Sequence, residues 1–175
     1  MTLNGEAQKI VILDKFHDYY SSNKTFAPLT FGMRNCLKDQ ISEAIAVTTA
    51  EGRERLINYF PENLQMRLKP VYKHTTIGYG PGWRNDICVF PFCRAEINGQ
   101  SPAKYDIHYS DRIYEYYKTN DNRIKTANNE NCFYWLREYE NSGENSGEYL
   151  LINSNNNDTA YIGERTAGIS FGFCF

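Results

Sequence analysis

The last eight residues, Gly168-Ile169-Ser170-Phe171-Gly172-Phe173-Cys174-Phe175, constrain the fold more than any other stretch of this chain. Ile169, Phe171, Phe173 and Phe175 alternate with Ser170, Gly172 and Cys174, the period of two that gathers every second side chain on one face of a strand. Domain termini fray unless something ties them down. A final segment this aromatic is therefore expected to lie inside the core, in a sheet already built to receive it.

The 175 residues are enough for one domain that buries roughly 70% of the surface its unfolded chain exposes. Residues 1–175 are read as that single domain. With 41% hydrophobic and 23% charged residues, the composition is globular. The formal charge is −2, and lysines and arginines are scattered, which argues against nucleic acid, where binding is dominated by phosphate neutralisation. No apolar run approaches the roughly 18 residues that span a bilayer, so membrane insertion is not expected. Met1-Thr2-Leu3-Asn4-Gly5-Glu6 has neither the basic start nor the hydrophobic core of a secretory signal, and synthesis in the cytosol is the expectation. The five cysteines, Cys36, Cys88, Cys93, Cys132 and Cys174, have no paired-ligand spacing and are read as buried reduced thiols.

Along the chain, Gln8–Leu13 is a β-branched run that predicts a first strand. Cys36, Leu37, Ile41, Ala44 and Ile45 recur near helical spacing, predicting a helix over Met33–Ala46. Thr48 and Glu51 have capping-box spacing, and the helix they open would carry Leu56, Ile57 and Phe60 inward. Pro61 suits the first position of a short helix containing Leu64. Strands are expected over Met66–Thr76 and Asp86–Phe92, with Pro91 confining the latter's end to an edge or bulge. A short helix over Asp111–Lys118, capped by Ser110, would bury Ile113, Tyr114 and Tyr117. Strands over Phe133–Leu136, Glu148–Ile152, Thr159–Ile162 and the terminus complete an α+β domain.

From about residue 54 onward the chain carries a series of ordered short motifs. They are Arg53-Glu54-Arg55-Leu56-Ile57-Asn58, Phe60-Pro61-Glu62-Asn63-Leu64, Lys69-Pro70-Val71-Tyr72-Lys73-His74-Thr75 and Phe90-Pro91-Phe92-Cys93-Arg94-Ala95-Glu96-Ile97-Asn98-Gly99. Tyr114-Glu115-Tyr116-Tyr117, Arg123-Ile124-Lys125, Tyr134-Trp135-Leu136-Arg137 and the terminal Gly168–Phe175 follow. In these motifs the chain resembles an uncharacterised domain family of gut Gram-positive bacteria and their prophages. Residues 51–175 are the family-like part and residues 1–50 are divergent. Glu138-Tyr139 stands where the family has Ser-Pro, and Ser170-Phe171 where it has x-Pro, which bears on loop geometry more than on the fold. The family is similar to the wider C-type-lectin-like group, which includes the formylglycine-generating enzymes. The resemblance implies a mixed antiparallel sheet with two main helices and long polar loops presenting a binding surface, and a virion or tail location.

The stretch from Glu138 to Glu164 is dense in Asn, Ser, Gly and Glu, with Tyr139, Tyr149 and Tyr161 interspersed. Tyrosine among small polar residues is the composition of binding loops; it is also what hairpin turns are made of. The candidate ligand-binding residues are Tyr139, Asn141, Asn145, Asn155, Asn156, Asn157, Tyr161 and Trp83. Trp135 and Arg137 are read as organisers of the late loop, the guanidinium satisfying its carbonyls. Asn153–Glu164 copies the length of a calcium loop but lacks its glycine and its charged first ligand. Trp83-Arg84-Asn85-Asp86 resembles a calcium-lectin motif without its partner sequence. Cys88 and Cys93 copy the spacing of copper-binding cysteines but stand upstream of the Trp-Leu-Arg motif. A zinc set of His74, Cys88, Cys93 and His108 has no recognised spacing. No catalytic residue, metal or cofactor is assigned. The expected function is non-enzymatic recognition of a host surface glycan or protein by a phage virion or tail accessory protein, with self-association open. The alternatives are a decoration or assembly protein contacting neighbouring virion proteins and, more remotely, a thiol-dependent enzyme.

Overall fold

The computed structural model describes residues 1–37, 40–41, 50–75, 83–99, 112–142, 145–153, 158–161 and 166–175. For 40–41, 50–51, 53, 74–75, 83–85, 138–142, 145–150 and 158–161 it describes the backbone alone.

A four-stranded antiparallel sheet forms the centre. Its strands β3 (Ile10–Lys15), β4 (Leu29–Met33), β15 (Phe171–Phe173) and β8 (Val89–Pro91) lie in the order β3-β4-β15-β8. The end of the chain is thus an interior strand, with Gly172 opposite Gly32 on one side and Phe90 on the other. Pro91 sits on the edge strand β8, where its missing N–H costs no ladder bond. Phe171 and Phe173 pack with Met33, Leu37, Phe60 and Val89 on one face, while Cys174 joins Leu13, Val71, Ile87 and Phe90 in a second cluster. Both faces are covered, so the expected single apolar face is incomplete: Ser170 and Cys174 are buried as thoroughly as the phenylalanines.

A five-stranded sheet stands beside it. Its order is β13-β12-β11-β14-β5, built from β5 (Gln40–Ile41), β11 (Tyr134–Ser142), β12 (Asn145–Ile152), β13 (Asp158–Tyr161) and β14 (Ala167–Gly168). All its pairings are antiparallel except β11 with β14, where Tyr134 pairs with Gly168. The expected terminal strand is therefore two strands. After β14 the chain leaves one sheet, the Ile169 carbonyl accepts the Leu37 N–H at 3.0 Å, and β15 enters the other. Smaller antiparallel ladders join β1 (Thr2–Leu3) to β2 (Glu6–Ala7), β6 (Val71–Thr75) to β7 (Trp83–Ile87), and β9 (Thr126–Ala127) to β10 (Glu130–Asn131).

Among the described residues the α-helices are three short ones, α1 (Ala50–Ile57), α2 (Glu62–Gln65) and α3 (Arg94–Asn98). Helix α1 buries Leu56, and Phe60 just after it packs edge-on against Phe173 at 4.9 Å. Pro61 precedes α2 with extended backbone instead of opening it. Helix α3 ends at Gly99, whose φ of 77° is the left-handed conformation that closes helices. The helix expected over Met33–Ala46 is overturned in its described part. Met33 closes β4, and Gln40–Ile41 pair with β14, because a sheet partner far along the chain outcompetes weak local helical spacing. Residues 38–39 and 42–49, with the Thr48 cap, lie outside the described residues. Over 112–118 only Glu115–Lys118 are helical, as a 3₁₀ turn; Tyr114 is extended and its N–H bonds the Glu96 carbonyl at 2.9 Å, while Asp111 and the expected Ser110 cap lie outside the described residues. The expected strand over Met66–Thr76 begins at Val71, leaving Met66 exposed in a turn.

Candidate functional site

The 138–164 stretch is not mainly loop. Strands β11 and β12 carry the polar sequence onward from the core as a long antiparallel hairpin, and β13 pairs along β12. At its root Tyr134, Trp135, Leu136, Arg137, Leu151 and Ile152 are all buried. What fixes that root is a group of ionic and polar side chains shut away from solvent. The Lys73 ammonium donates to Asp18 Oδ1 at 2.5 Å, Glu96 Oε1 at 2.6 Å and the Tyr114 hydroxyl at 2.7 Å. Tyr114 and Thr30 both donate to Asp18 Oδ2, at 2.9 and 2.7 Å. Arg137 Nη1 donates to Glu96 Oε2 and to the Pro91 carbonyl, and Nη2 to the Cys93 thiol at 3.2 Å. The Cys93 N–H in turn donates to Glu96 Oε2 at 3.0 Å, which holds the first turn of α3.

Two cations face two carboxylates, so the group is close to neutral, and each lone charge that would be prohibitive alone is paired and hydrogen-bonded. Burial would raise both carboxyls; the Lys73 ammonium chiefly, with His17 beside it, holds Asp18 far below its usual range, and Arg137 then Lys73 hold Glu96 below its own. Burial would lower Lys73, but Asp18 and Glu96 outweigh it and keep the ammonium charged. With the side chains 0% exposed and mutually satisfied, this assembly organises the scaffold. The Arg137 partners just named lie at 91–96, so the arginine anchors α3 to β11; the late-loop carbonyls expected to bond it lie partly outside the described residues. Trp135 is buried beside it, paired with Leu151.

Above this root the register brings three tyrosines into one row. Tyr139 on β11 pairs with Tyr149 on β12, and Tyr149 pairs with Tyr161 on β13. Residues directly opposite across neighbouring strands share a face, and strands lie about 4.8 Å apart, so the row is about 10 Å long. At the far end of the hairpin Asn141 pairs with Ser146, and Ser142 with Asn145. Tyr139, Tyr161, Asn141 and Asn145 are thereby gathered on one three-stranded unit, Tyr161 in a strand as expected and Tyr139, Asn141 and Asn145 in strands beyond the expected bounds. Trp83 belongs to a different ladder, opposite Thr75 at one end of β6–β7. Asn155, Asn156 and Asn157 lie outside the described residues.

No family model, curated protein or solved structure matches the chain. The functional reading therefore stands on the site's own geometry. Among the described residues no group of three or more His, Cys, Asp or Glu could hold a metal ion, and His74's side chain and His108 are outside them. No described helix is long and apolar enough to cross a membrane.

Sequence reasoning left two things out. Tyr149 was noted without being chosen, although it is the middle of the row. The signal was its place in the alternating run Glu148–Ile152. Lys73, Asp18, Glu96 and Tyr114 went unnoticed as a group. Lys73 was the legible one: it stands two residues from Val71 in a strand, hence on the same, inward face.

Proposed function

We propose that this chain is a non-enzymatic recognition domain, a virion or tail accessory protein of a phage, built on a C-type-lectin-like scaffold and binding a host surface component through the β11–β12–β13 unit. The row Tyr139-Tyr149-Tyr161 carries the reading. Three aromatic residues in register on neighbouring strands share one face of the unit, and tyrosine, with few rotatable bonds to freeze, is suited to stacking on the apolar face of a sugar ring or an aromatic side chain. Asn141 and Asn145 at the hairpin's end add paired donors and acceptors that suit sugar hydroxyls or a peptide backbone. The buried ionic root supports the reading from below, because a recognition strip needs a scaffold that does not shift when it binds. Its titratable groups are sealed from solvent and matched to one another, which favours a structural over a catalytic role for them.

Glycan-array and whole-cell binding by the isolated chain test this. Saturable binding that falls at least tenfold in Tyr149→Ala and Tyr139→Ala, with unchanged thermal unfolding, supports recognition. Binding that those variants leave intact, or no saturable binding to any glycan or host cell, rejects it and favours a decoration protein that contacts its neighbours in the particle.

A further inference from the structure

We infer that Cys36 and Cys132 are an intramolecular disulfide site, closed by exchange with a low-molecular-weight disulfide and fastening the segment after β4 to the root of the β11–β12 hairpin. Backbone bonding brings the two residues together. The Cys36 N–H donates to the Thr126 carbonyl and the Cys132 N–H to the adjacent Lys125 carbonyl, each at 3.0 Å, so both cysteines are hung on consecutive peptide units. Both sulfurs also lie against Gly168: a Cβ there would be 2.8 Å from the Cys36 sulfur and 3.2 Å from that of Cys132. The absent side chain is what leaves the thiols room to meet. Cys36 forms part of the wall of a polar cavity of about 620 Å³ that also takes in Gly5, Gln8, Asn35, Thr126 and Asn129, which opens the Cys36 side of the pair to a small reagent, and Cys132, 7% exposed, is the less buried of the two.

The chemistry of the two thiols is unequal in the way exchange requires. A hydrogen bond from Cys36 lowers the Cys132 thiol, with the Lys125 ammonium assisting, while burial first and then Cys132 push Cys36 up. Cys132 is thus the thiolate that attacks one sulfur of the incoming disulfide, forming a mixed disulfide and expelling one thiolate, which takes up a proton. Cys36 then gives up its proton and attacks the Cys132 sulfur, expelling the second thiol. Two protein thiols are oxidised to one disulfide, and one small disulfide is reduced to two thiols. The closed loop runs from residue 36 to residue 132, long enough that cross-linking restricts the unfolded chain substantially.

Incubating the reduced full chain with glutathione disulfide, then denaturing, alkylating and mapping peptides by mass, tests the site. A peptide pair joined through Cys36 and Cys132, lighter by two hydrogens, with Cys88, Cys93 and Cys174 still alkylated and a thermal midpoint that rises by several degrees and falls again with dithiothreitol, is the expected result. Both cysteines recovered as alkylated thiols, a mixed disulfide that never closes, or a bridge to a different cysteine overturns it. Because the mapping uses the natural chain, it does not depend on a variant folding.

Discussion

Tyr20 donates its hydroxyl to the backbone carbonyl of Phe175 at 2.6 Å, tying the first quarter of the chain to its last residue. The neighbouring Cys174 carbonyl accepts the Lys69 N–H at 3.0 Å, so two separate segments close over the terminal strand. Phe173, fully buried between Phe31 and Phe60, makes that closure hydrophobic as well as polar. Removing Gly172–Phe175 deletes an interior strand and exposes the ladders of both neighbours, and the shortened chain is expected to show no cooperative unfolding transition. The milder change Phe173→Ala is expected to cost about 3–5 kcal/mol in urea unfolding. A truncated protein that melts like its parent means that the chain does not end in an interior strand and overturns this architecture.

The buried ionic group sets the acid response. Asp18 and Glu96 have folded values below their ordinary 3.8 and 4.5, so in that range the unfolded chain binds more protons than the folded one. The stability they contribute is present at neutral pH and drains as pH falls below about 5 toward the depressed folded values. Glu96→Gln leaves Arg137 and Lys73 short of a charge partner inside the protein and is expected to cost about 3–5 kcal/mol at pH 7, with a shallower acid limb. The exposed Lys118–Glu115 pair is the control: Lys118→Ala should change stability by less than about 1 kcal/mol. Urea midpoints measured from pH 7 to pH 3 distinguish the two.

How far the sequence could be read follows the range of the forces involved. The terminal alternation was legible, because the period of two is local and the aromatic residues announce burial. So was the inward placement of Leu56 at the end of α1 and of Phe60 just after it, where spacing and the following proline agree. The helix over Met33–Ala46 was misread because its apolar spacing is ambiguous and the deciding partner, Ala167–Gly168, is far along the chain. The site was half legible. Tyr139, Asn141, Asn145 and Tyr161 stand out by composition, but their alignment with Tyr149 is a property of register across three strands, fixed by pairings that no local pattern encodes. Arg137 stood out in the Trp-Leu-Arg motif, but its bond to Glu96 becomes visible only when α3 is folded against β11.

At alkaline pH a second buried cation governs. Lys125 donates to the Met33 carbonyl at 2.6 Å and stands 5.3 Å from the Tyr117 ring centre, and burial pulls its ammonium down to about 8 from the ordinary 10.5. A base depressed on folding is charged in the unfolded chain over a range where it is neutral in the folded one. Stability therefore rises as pH climbs from about 8 toward 10, the opposite sign from Lys73, whose raised value makes it lose stability only above 10.5. Lys125→Met removes the rise. The difference between natural and Lys125→Met unfolding free energies, followed from pH 7 to pH 10 with a reductant present, should grow with pH; a flat difference shows that the ammonium is not held in the way described.

Two glycines that look alike in the sequence should respond differently to alanine. Gly172, on the interior strand, has no room: a Cβ there would fall 2.5 Å from Cε2 of Phe90 and 3.1 Å from Cε1 of Phe92, both rings fully buried. Phe92 cannot retreat without displacing Tyr114 and Tyr117, and Phe90 lies against Phe92 with the Lys73 ammonium over its ring, so Gly172→Ala is expected to cost about 1–3 kcal/mol or more through overpacking. Gly99 faces open space, with nothing within 4 Å of the added carbon, and its difficulty is the backbone alone, since φ of 77° disfavours an L side chain by about 1–2 kcal/mol. Gly99→Asn tolerates that conformation and recovers part of the loss, whereas no substitution at Gly172 does. Urea unfolding of Gly172→Ala, Gly99→Ala and Gly99→Asn separates the two causes, and a Gly172→Ala protein as stable as its parent would mean that β15 does not run between Gly32 and Phe90.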